Sequence, residues 1–381
     1  MCVGVAIFIS LLVFLPEVLS GHYVSGKEAA LVTLATSTTP VAPTFTPSYV
    51  AAPASIRAIY MTSWVAGTPS LRTPLVNLID TTELNAVVID IKDYSGNIVF
   101  NIDDNPALKA YGSESVRVPD MQAFIQSLHE KGIYVIGRIA VFQDAYFVKY
   151  RPDLAVKNAA GTEVWKDKKG ISWIDPGSEE YWAYIVLLAK ESRKIGFDEI
   201  NFDYIRYPSD GNEEDISYPI SSTTPKAQVL TSFFQYLHTN LAGTGLKISA
   251  DLFGQTTTAD NDMGIGQVLD DALPYFDYVD PMVYPSAYAP GFMNFTNPEA
   301  HPYDVVQYAM QSAVARADAL ASTTGQPVAT LRPWLQDFGL TVEYGAPEVR
   351  DQIKATNDDG LSSWLIWNAA NKYDVGAFNA K

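Results

Sequence analysis

The chain has 381 residues, 48% of them hydrophobic, which is enough apolar material for one large core. Its 43 acidic and 26 basic residues give a formal net charge of −17 at pH 7. A surface this acidic repels phosphate backbones, so nucleic acid is excluded as the expected partner, whereas a neutral polymer is not. The single cysteine, Cys2, excludes an intrachain disulfide and a cysteine zinc site.

The first 55 residues differ in composition from the rest. Residues 2–15 are almost continuously apolar and precede the small residues Ser20 and Gly21. This pattern predicts an export signal peptide or a membrane anchor over residues 1–21, with a buried helix as the remaining alternative. Residues 32–54 are rich in Thr, Ser, Pro and Ala. They predict a low-complexity linker over residues 22–55 that adds nothing to the folded core. The expected location is therefore extracytoplasmic, either secreted or membrane-anchored.

Short apolar runs then alternate with amphipathic segments. Eight runs are typical of strands, at residues 56–64, 86–93, 133–142, 199–208, 246–254, 276–285, 327–335 and 361–368. Helical periodicity occupies residues 118–132, 178–196, 226–243 and, less clearly, 303–322. Eight strands separated by helices predict an α/β fold, a single-domain (β/α)8 TIM barrel over residues 56–381. Because only 13 residues follow the eighth run, the last helix must be short or supplied from elsewhere.

Polar side chains interrupt these runs near their C-terminal ends, where barrel enzymes carry their active sites. Parallel strands are buried on both faces, so a charged residue belongs only at an end. Because this occurs in most of the runs, it indicates a substrate-binding surface rather than isolated structural ion pairs. The predicted substrate-binding residues are Asp90, Lys92, Asp93, Arg138, Arg206, Tyr207, Asp280, Tyr284, Trp334, Trp364 and Trp367, and the seventh and eighth runs also contribute Arg332 and Asn368.

Two of these strand ends carry the candidate catalytic residues, Asp203 and Asp251. Glycosidic bond cleavage uses two carboxyl groups that flank the scissile bond. The two aspartates occupy corresponding depths on neighbouring strands, so they can face each other across a sugar. A nearby arginine, Arg206 or Arg138, would keep one carboxylate ionised, while a drier setting would raise the pKa of the other. The residue pattern leaves open which carboxylate takes which role.

Motifs for other chemistries are missing from the sequence. It contains no G-x-S-x-G, no G-x-x-x-x-G-K-[ST] and no H-E-x-x-H. The four histidines lie away from the predicted strand ends. The sequence therefore predicts neither a cofactor nor a catalytic metal.

Residues 153–208, which end in FDYIRYP, resemble the bacterial family described as a putative glycosyl hydrolase domain. The segments IRAIYMTSW, AVVIDIKDYSG, DPMVYPSAY, RPWLQDF and WLIWNAANKY fit it too, so the resemblance runs from residue 56 to about 375. It implies a (β/α)8 barrel similar to the α-amylase group, with the fourth-strand aspartate, Asp203, as nucleophile. That group places a glutamate after strand five, where this chain has Asp251.

Three functions are compatible with the sequence. The first is a glycoside hydrolase that acts on an extracellular or cell-envelope polysaccharide by two-carboxylate acid/base chemistry. The second is a catalytically inactive carbohydrate-binding or cell-wall-associated barrel. The third is a barrel hydrolase of amides or esters in the wall. The expected partner in the first case is a carbohydrate polymer, with membrane attachment through the N-terminal segment if that segment is an anchor.

Overall fold

Nine parallel strands form one closed sheet in the computed structural model, which describes residues 45–102 and 105–381. The strands are β1 Arg57–Met61, β2 Ala86–Lys92, β3 Tyr134–Ala140, β4 Glu199–Asp203, β5 Lys247–Phe253, β6 Tyr278–Met282, β7 Thr330–Leu331, β8 Trp334–Gln336 and β9 Trp364–Trp367. Their order is β5-β4-β3-β2-β1-β9-β8-β6-β7, and pairing of β5 with β6 closes the barrel. Both β7 and β8 pair with β6. They are the two halves of the predicted seventh strand, interrupted at Arg332 and Pro333. The (β/α)8 TIM barrel is thus confirmed.

Helices connect successive strands. In the described part of the chain they are α1 Ser63–Ala66, α2 Pro69–Thr81, α3 Pro106–Lys109, α4 Met121–His129, α5 Ala145–Tyr150, α6 Glu179–Ile195, α7 Lys226–Leu241, α8 Leu269–Ala272, α9 Pro302–Thr324 and α10 Ala346–Asp358. The long helix α6 shows why these segments form where they do. The side chain of Ser178 accepts the Tyr181 N–H at its start, and Gly196, with φ 121°, ends it. None of the described helices is both long and apolar enough to cross a membrane.

The C-terminal tail takes the position of the missing eighth helix. After β9 the chain makes a single 3-10 turn at Val375–Ala377. Thr82 and Ala380 then form a β-bridge, which ties the tail to the end of α2. Phe378 stacks on Trp364 with ring centroids 6.1 Å apart. The outer face of β9 is therefore covered by an aromatic side chain instead of a helix.

Part of the predicted linker belongs to the barrel domain. Contacts within the chain group Pro47–Lys381 as one compact unit. Val50 and Ala52 pack against the apolar cluster inside the barrel, and the Val50 N–H donates to Asp198 Oδ1 over 2.9 Å. Residues 47–54 thus cover the N-terminal end of the barrel, so the expectation that residues 1–54 add nothing to the core is wrong for this segment. Residues 1–44, including the predicted signal or anchor, lie outside the described residues.

Candidate functional site

A cavity of about 220 Å³ opens at the C-terminal ends of the strands, and we call it the central cavity. Its lining combines two carboxyl groups, two guanidinium groups and five aromatic rings. The lining residues are Arg138, Asp203, Tyr204, Arg206, Asp251, Phe253, Met282, Tyr284, Trp334 and Trp367. The cavity thus brings together both candidate catalytic aspartates and five of the predicted substrate-binding residues, Arg138, Arg206, Tyr284, Trp334 and Trp367.

Asp203 is the last residue of β4 and is held in a fixed orientation. Its Oδ2 accepts hydrogen bonds from Arg138 Nη2 at 2.5 Å and Arg138 Nε at 3.1 Å. Its Oδ1 accepts the Tyr204 N–H at 2.5 Å. Tyr204 adopts the left-handed region, with φ 52°, a conformation that is costly for a tyrosine and is often found at functional sites. Three hydrogen bonds from two residues thus fix the orientation of this carboxyl group at the cavity wall.

Asp251 lies at the same depth on the neighbouring strand. Phe202 of β4 pairs with Ala250 of β5, so the two aspartates are the next residues along each strand. Asp251 is 1% exposed. Its Oδ1 accepts hydrogen bonds from Asn201 Nδ2 and Trp334 Nε1, both at 2.7 Å. Burial, and then the negative charge of Asp203, raise the pKa of Asp251 well above its usual value. This group is therefore set up to carry a proton.

Arg138 bridges two carboxylates. Besides Asp203 it contacts Asp90 Oδ1, with Nη1 at 2.7 Å. The hydroxyl of Tyr60 donates to the other oxygen of Asp90 at 2.5 Å. Asp90 does not line the central cavity but fixes Arg138 from behind, so the predicted substrate contact for Asp90 is replaced by a positioning contact. Burial raises the pKa of Asp90.

Arg206 also lines the central cavity. Its guanidinium lies 4.9 Å from the ring centre of Trp173 and 4.7 Å from that of Phe253. Its Nη2 is 2.7 Å from Asp210 Oδ2. It is therefore held by aromatic faces and by a carboxylate other than Asp203, and it does not share the role of Arg138.

Aromatic rings form the remaining walls. Trp367 stacks on Tyr60 with ring centroids 4.0 Å apart, and Trp334 meets Trp367 edge to face at 5.6 Å. Tyr284 packs edge to face on Phe338. Flat aromatic faces beside carboxylates are suited to a ligand that has both apolar faces and hydroxyl groups, as a sugar ring does.

A buried ionic layer supports the floor of the cavity. Arg332 contacts Glu199 Oε1 at 2.6 Å and Asp280 Oδ2 at 2.7 Å, and none of the three side chains is exposed to solvent. Asn201 Nδ2 lies 3.2 Å from Asp280 and links this layer to Asp251. Asp280 thus lies in the barrel interior beneath the cavity, outside the cavity lining in which it was predicted.

Four other predicted residues also fall outside the cavity lining. Lys92 is fully buried and pairs with Asp144 at 2.9 Å. The register of β2 against β3 shifts between Asp90 and Lys92, so this lysine no longer shares the inward face. Trp364 is covered by the C-terminal tail. The structure therefore places Lys92 and Trp364 on the outward face of the barrel, away from the predicted substrate surface.

Asp93 and Tyr207 are likewise occupied by structural partners. Asp93 Oδ2 accepts from Arg117 at 2.5 Å. Tyr207 is 1% exposed, and its hydroxyl contacts Ser221 Oγ at 2.9 Å. Both side chains hold loops that follow the strands, and the structure places both outside the cavity lining.

Three lining residues escaped prediction, namely Tyr204, Phe253 and Met282. Phe253 lies two residues beyond Asp251, and Met282 lies two beyond Asp280. The period of two along a strand places such residues on the same inward face. That period would have identified both, whereas Tyr204 depends on a local turn that no strand pattern signals.

Within residues 45–102 and 105–381, no group of three or more His, Cys, Asp or Glu side chains is arranged to hold a metal ion. The charged groups that line the central cavity are the two aspartates and the two arginines described above. They can act as an acid, a base, a nucleophile and electrostatic stabilisers.

The chain is thus a parallel (β/α)8 barrel with two carboxyl groups in a cavity at the C-terminal ends of its strands. The chain belongs to the family described as "putative glycosyl hydrolase domain", whose model matches residues 58–373. This membership confirms the family resemblance seen in the sequence and supports a glycosidase-type function. No curated protein matches the chain.

Solved structures share the barrel. The glycoside hydrolase domain of PgaB (BpsB) from Bordetella bronchiseptica is 14% identical with a TM-score of 0.57, over 86% of this chain and 99% of that one. The α-galactosidase TtGalA from Thermus thermophilus is 12% identical with a TM-score of 0.51, over 86% of this chain and 60% of that one. A hypothetical protein from Ruminiclostridium thermocellum is 32% identical over 50% of this chain and 96% of its own, with a TM-score of 0.45. At these identities the first two show the fold alone.

Proposed function

We propose that the chain is a glycoside hydrolase that cleaves an extracellular or cell-envelope polysaccharide with Asp203 and Asp251. The observation that carries the proposal is the difference between the two carboxyl groups in one cavity. The guanidinium of Arg138 donates two hydrogen bonds to one carboxyl group, and burial favours the protonated form of the other. Glycosidases assign their two catalytic roles in this way, by giving two carboxyl groups opposite environments.

Asp203 is the nucleophile in this mechanism. Its ionised carboxylate attacks the anomeric carbon, and the bond from that carbon to the leaving oxygen breaks. Asp203 and Asp251 lie on paired neighbouring strands, so the proposed nucleophile and the proposed acid can flank one glycosidic bond. The proposal therefore includes a covalent glycosyl-enzyme and retention.

Asp251 is the acid and then the base. Because its Oδ1 already accepts two hydrogen bonds, its proton belongs on Oδ2, from which it passes to the leaving oxygen. The resulting Asp251 carboxylate takes a proton from water, and that water releases the sugar from Asp203. An aspartate thus replaces the glutamate that the α-amylase group places after strand five.

The location of the substrate is proposed from the sequence. The apolar segment at residues 2–15 and the Thr/Pro-rich stretch that follows are typical of exported or anchored proteins. An acidic chain with an aromatic cavity suits a neutral polysaccharide better than a polyanion.

Hydrolysis of a panel of polysaccharides and aryl glycosides by the parent and by Asp203→Asn tests the proposal. The variant should fold like the parent, because the change is nearly isosteric, and should lose several orders of magnitude in turnover, because an amide is a poor nucleophile.

Asp198→Asn is the matched control. It alters a buried aspartate at the other end of the same strand, which accepts from the Val135 N–H and contacts His129. It should lower the melting temperature and keep the turnover of the folded fraction. Unchanged turnover in folded Asp203→Asn would refute the mechanism, and binding without cleavage by the parent would favour the inactive carbohydrate-binding barrel.

A further inference from the structure

A second and larger cavity adjoins the central cavity at the ends of β5 and β6. We call it the side cavity; its volume is about 440 Å³, within the range of ~300–1,000 Å³ typical of small-ligand pockets. It shares Phe253, Met282 and Tyr284 with the central cavity. A ligand that extends beyond the central cavity in this direction therefore enters the side cavity.

The lining of the side cavity is mostly apolar. Besides the three shared residues, Met263, Ile265 and Ala287 contribute hydrocarbon surface. Ser209 and Gln255 supply the polar side chains. Apolar walls with a few polar groups are what the CH faces and hydroxyl groups of a sugar ring require.

The walls are held in place by local backbone structure. A side chain at Gly254 is excluded, because a Cβ there would lie 2.4 Å from the Met282 carbonyl oxygen. Met263 has φ 51°, and its N–H donates to Asn261 Oδ1 at 2.8 Å. Gln255 Nε2 donates to the Ala287 carbonyl oxygen at 2.7 Å and joins the two loops. The side cavity is therefore preformed.

We infer that the side cavity binds the sugar unit on the leaving side of the scissile bond, so that the enzyme acts on chains of at least two sugar rings. This inference rests on the proposed function. A general acid must reach the leaving oxygen directly. The shared wall residue Phe253 lies two residues beyond Asp251 on the inward face of β5, whereas the residues that orient Asp203 come from β3 and β4. The leaving sugar therefore lies on the β5 side, which is where the side cavity opens.

Two substrates with the same sugar test this inference. The parent is first tested on substrates of the gluco, galacto, manno and N-acetylglucosamine series to find the sugar that it cleaves. That sugar is then supplied in two forms, an unactivated disaccharide and a glycosyl fluoride. The fluoride has one sugar ring, and its leaving group is too small to fill a cavity. Ala287→Trp, at an exposed residue of the side cavity, should lower kcat/KM for the disaccharide at least about tenfold and leave that for the fluoride within about twofold. Ala289→Trp is the matched control, because Ala289 is exposed on the same loop and lines neither cavity. It should change neither value.

The outcomes separate this inference from the proposed function. Equal losses on both substrates would place the reacting sugar in the side cavity and overturn the inference while the hydrolase stands. No loss on either substrate would show that the leaving sugar binds elsewhere, which also overturns it. Absence of cleavage of every substrate by the parent would refute the proposed function, and the inference with it.

Discussion

The proton on Asp251 gives the two aspartates different dependence on the leaving group. A carboxylic acid accelerates departure of a poor leaving group by donating a proton, whereas a good leaving group departs with little help. In the proposed mechanism Asp203 has no such dependence, because its attack is needed for every substrate. The hydrogen bonds from Asn201 and Trp334 orient the Asp251 carboxyl group, and both donors are uncharged.

The loss of rate caused by Asp251→Asn should therefore depend on the leaving group of the substrate. We expect turnover of an unactivated glycoside to fall by about 10²–10⁴-fold, the usual contribution of a general acid. The rate at which a dinitrophenyl glycoside releases its phenolate in the first turnover should fall far less. Pre-steady-state kinetics measures both. Asp203→Asn is the comparison, since it should lose both rates; equal losses for the two leaving groups in Asp251→Asn would show that Asp251 is not the acid.

Arg138 predicts a loss of turnover through the orientation of Asp203. Arg138→Gln removes the cation that contacts both Asp203 and Asp90 and two of the three hydrogen bonds that orient the proposed nucleophile. We expect kcat to fall by about 10²-fold, the cost of a misplaced reacting group, with little change in KM. Arg206→Gln is the control, because its cation pairs with Asp210; it should lower kcat far less. Equal losses of kcat in the two variants would contradict a positioning role of Arg138.

At the scale of elements, the structure shows what a strand pattern can and cannot predict. Asp203 and Asp251 were found because each interrupts an apolar run near its C-terminal end. The same criterion selected Lys92 and Trp364, which face away from the cavity. Both faces of a barrel strand are buried, so polarity alone does not separate the inward from the outward face. At Lys92 a register shift, which depends on the neighbouring strand, decides the direction.

The periodicity of apolar residues decides which helices can be predicted from the sequence. Helix α6 could be predicted because it repeats apolar residues on one face. Helix α10 could not, because its sequence, APEVRDQIKATND, is mostly polar and buries only a few residues. Its start is fixed by a proline in its first turn and by Glu348 Oε2, which accepts the Gly345 N–H at 2.9 Å. Such contacts determine a helix without producing a clear periodicity.

The segment before β1 predicts a stability effect. Truncation of the chain to begin at Ser55 removes the Val50 packing and leaves Asp198 Oδ1 without its N–H donor. We expect a loss of about 2 kcal/mol, typical of one buried hydrogen bond and one partly buried aliphatic side chain. Thermal melting against a chain that begins at Phe45 measures it. Identical melting temperatures would show that this segment adds nothing, as its composition alone suggests.

In the whole molecule, the two ends of the barrel have separate tasks. The C-terminal end carries the carboxyl groups to which we assign the chemistry, and the N-terminal end carries the Asp198 contacts that close the core. Burial at the first end has a cost, because a carboxyl group taken out of water resists ionisation. Burial, the largest cause in each case, raises the pKa of Asp280 to about 6 and that of Asp337 to about 7.

These raised values predict how stability changes with pH. A carboxyl group whose pKa is higher in the folded than in the unfolded chain binds its proton more tightly when folded. It contributes most to the free energy of unfolding below its unfolded value, and that contribution is lost as pH rises through the folded pKa. The window here runs from about pH 4 to pH 7. The net charge of −17 adds repulsion in the same direction, so the protein should melt at a higher temperature at pH 5 than at pH 8.

A substitution at Asp337 tests how much one buried carboxyl group contributes to this pH dependence of stability. Its Oδ2 is buried without a hydrogen-bond partner in the described structure, so ionisation there has no compensation, and Asp374 adds a like charge. Asp337→Asn removes the ionisation and should raise the melting temperature at pH 8 while leaving it nearly unchanged at pH 4. The difference between pH 5 and pH 8 should shrink. Asp318→Asn removes one charge from the exposed side of α9 and should keep the difference of the parent. If both variants respond alike, net charge rather than burial of Asp337 sets the slope.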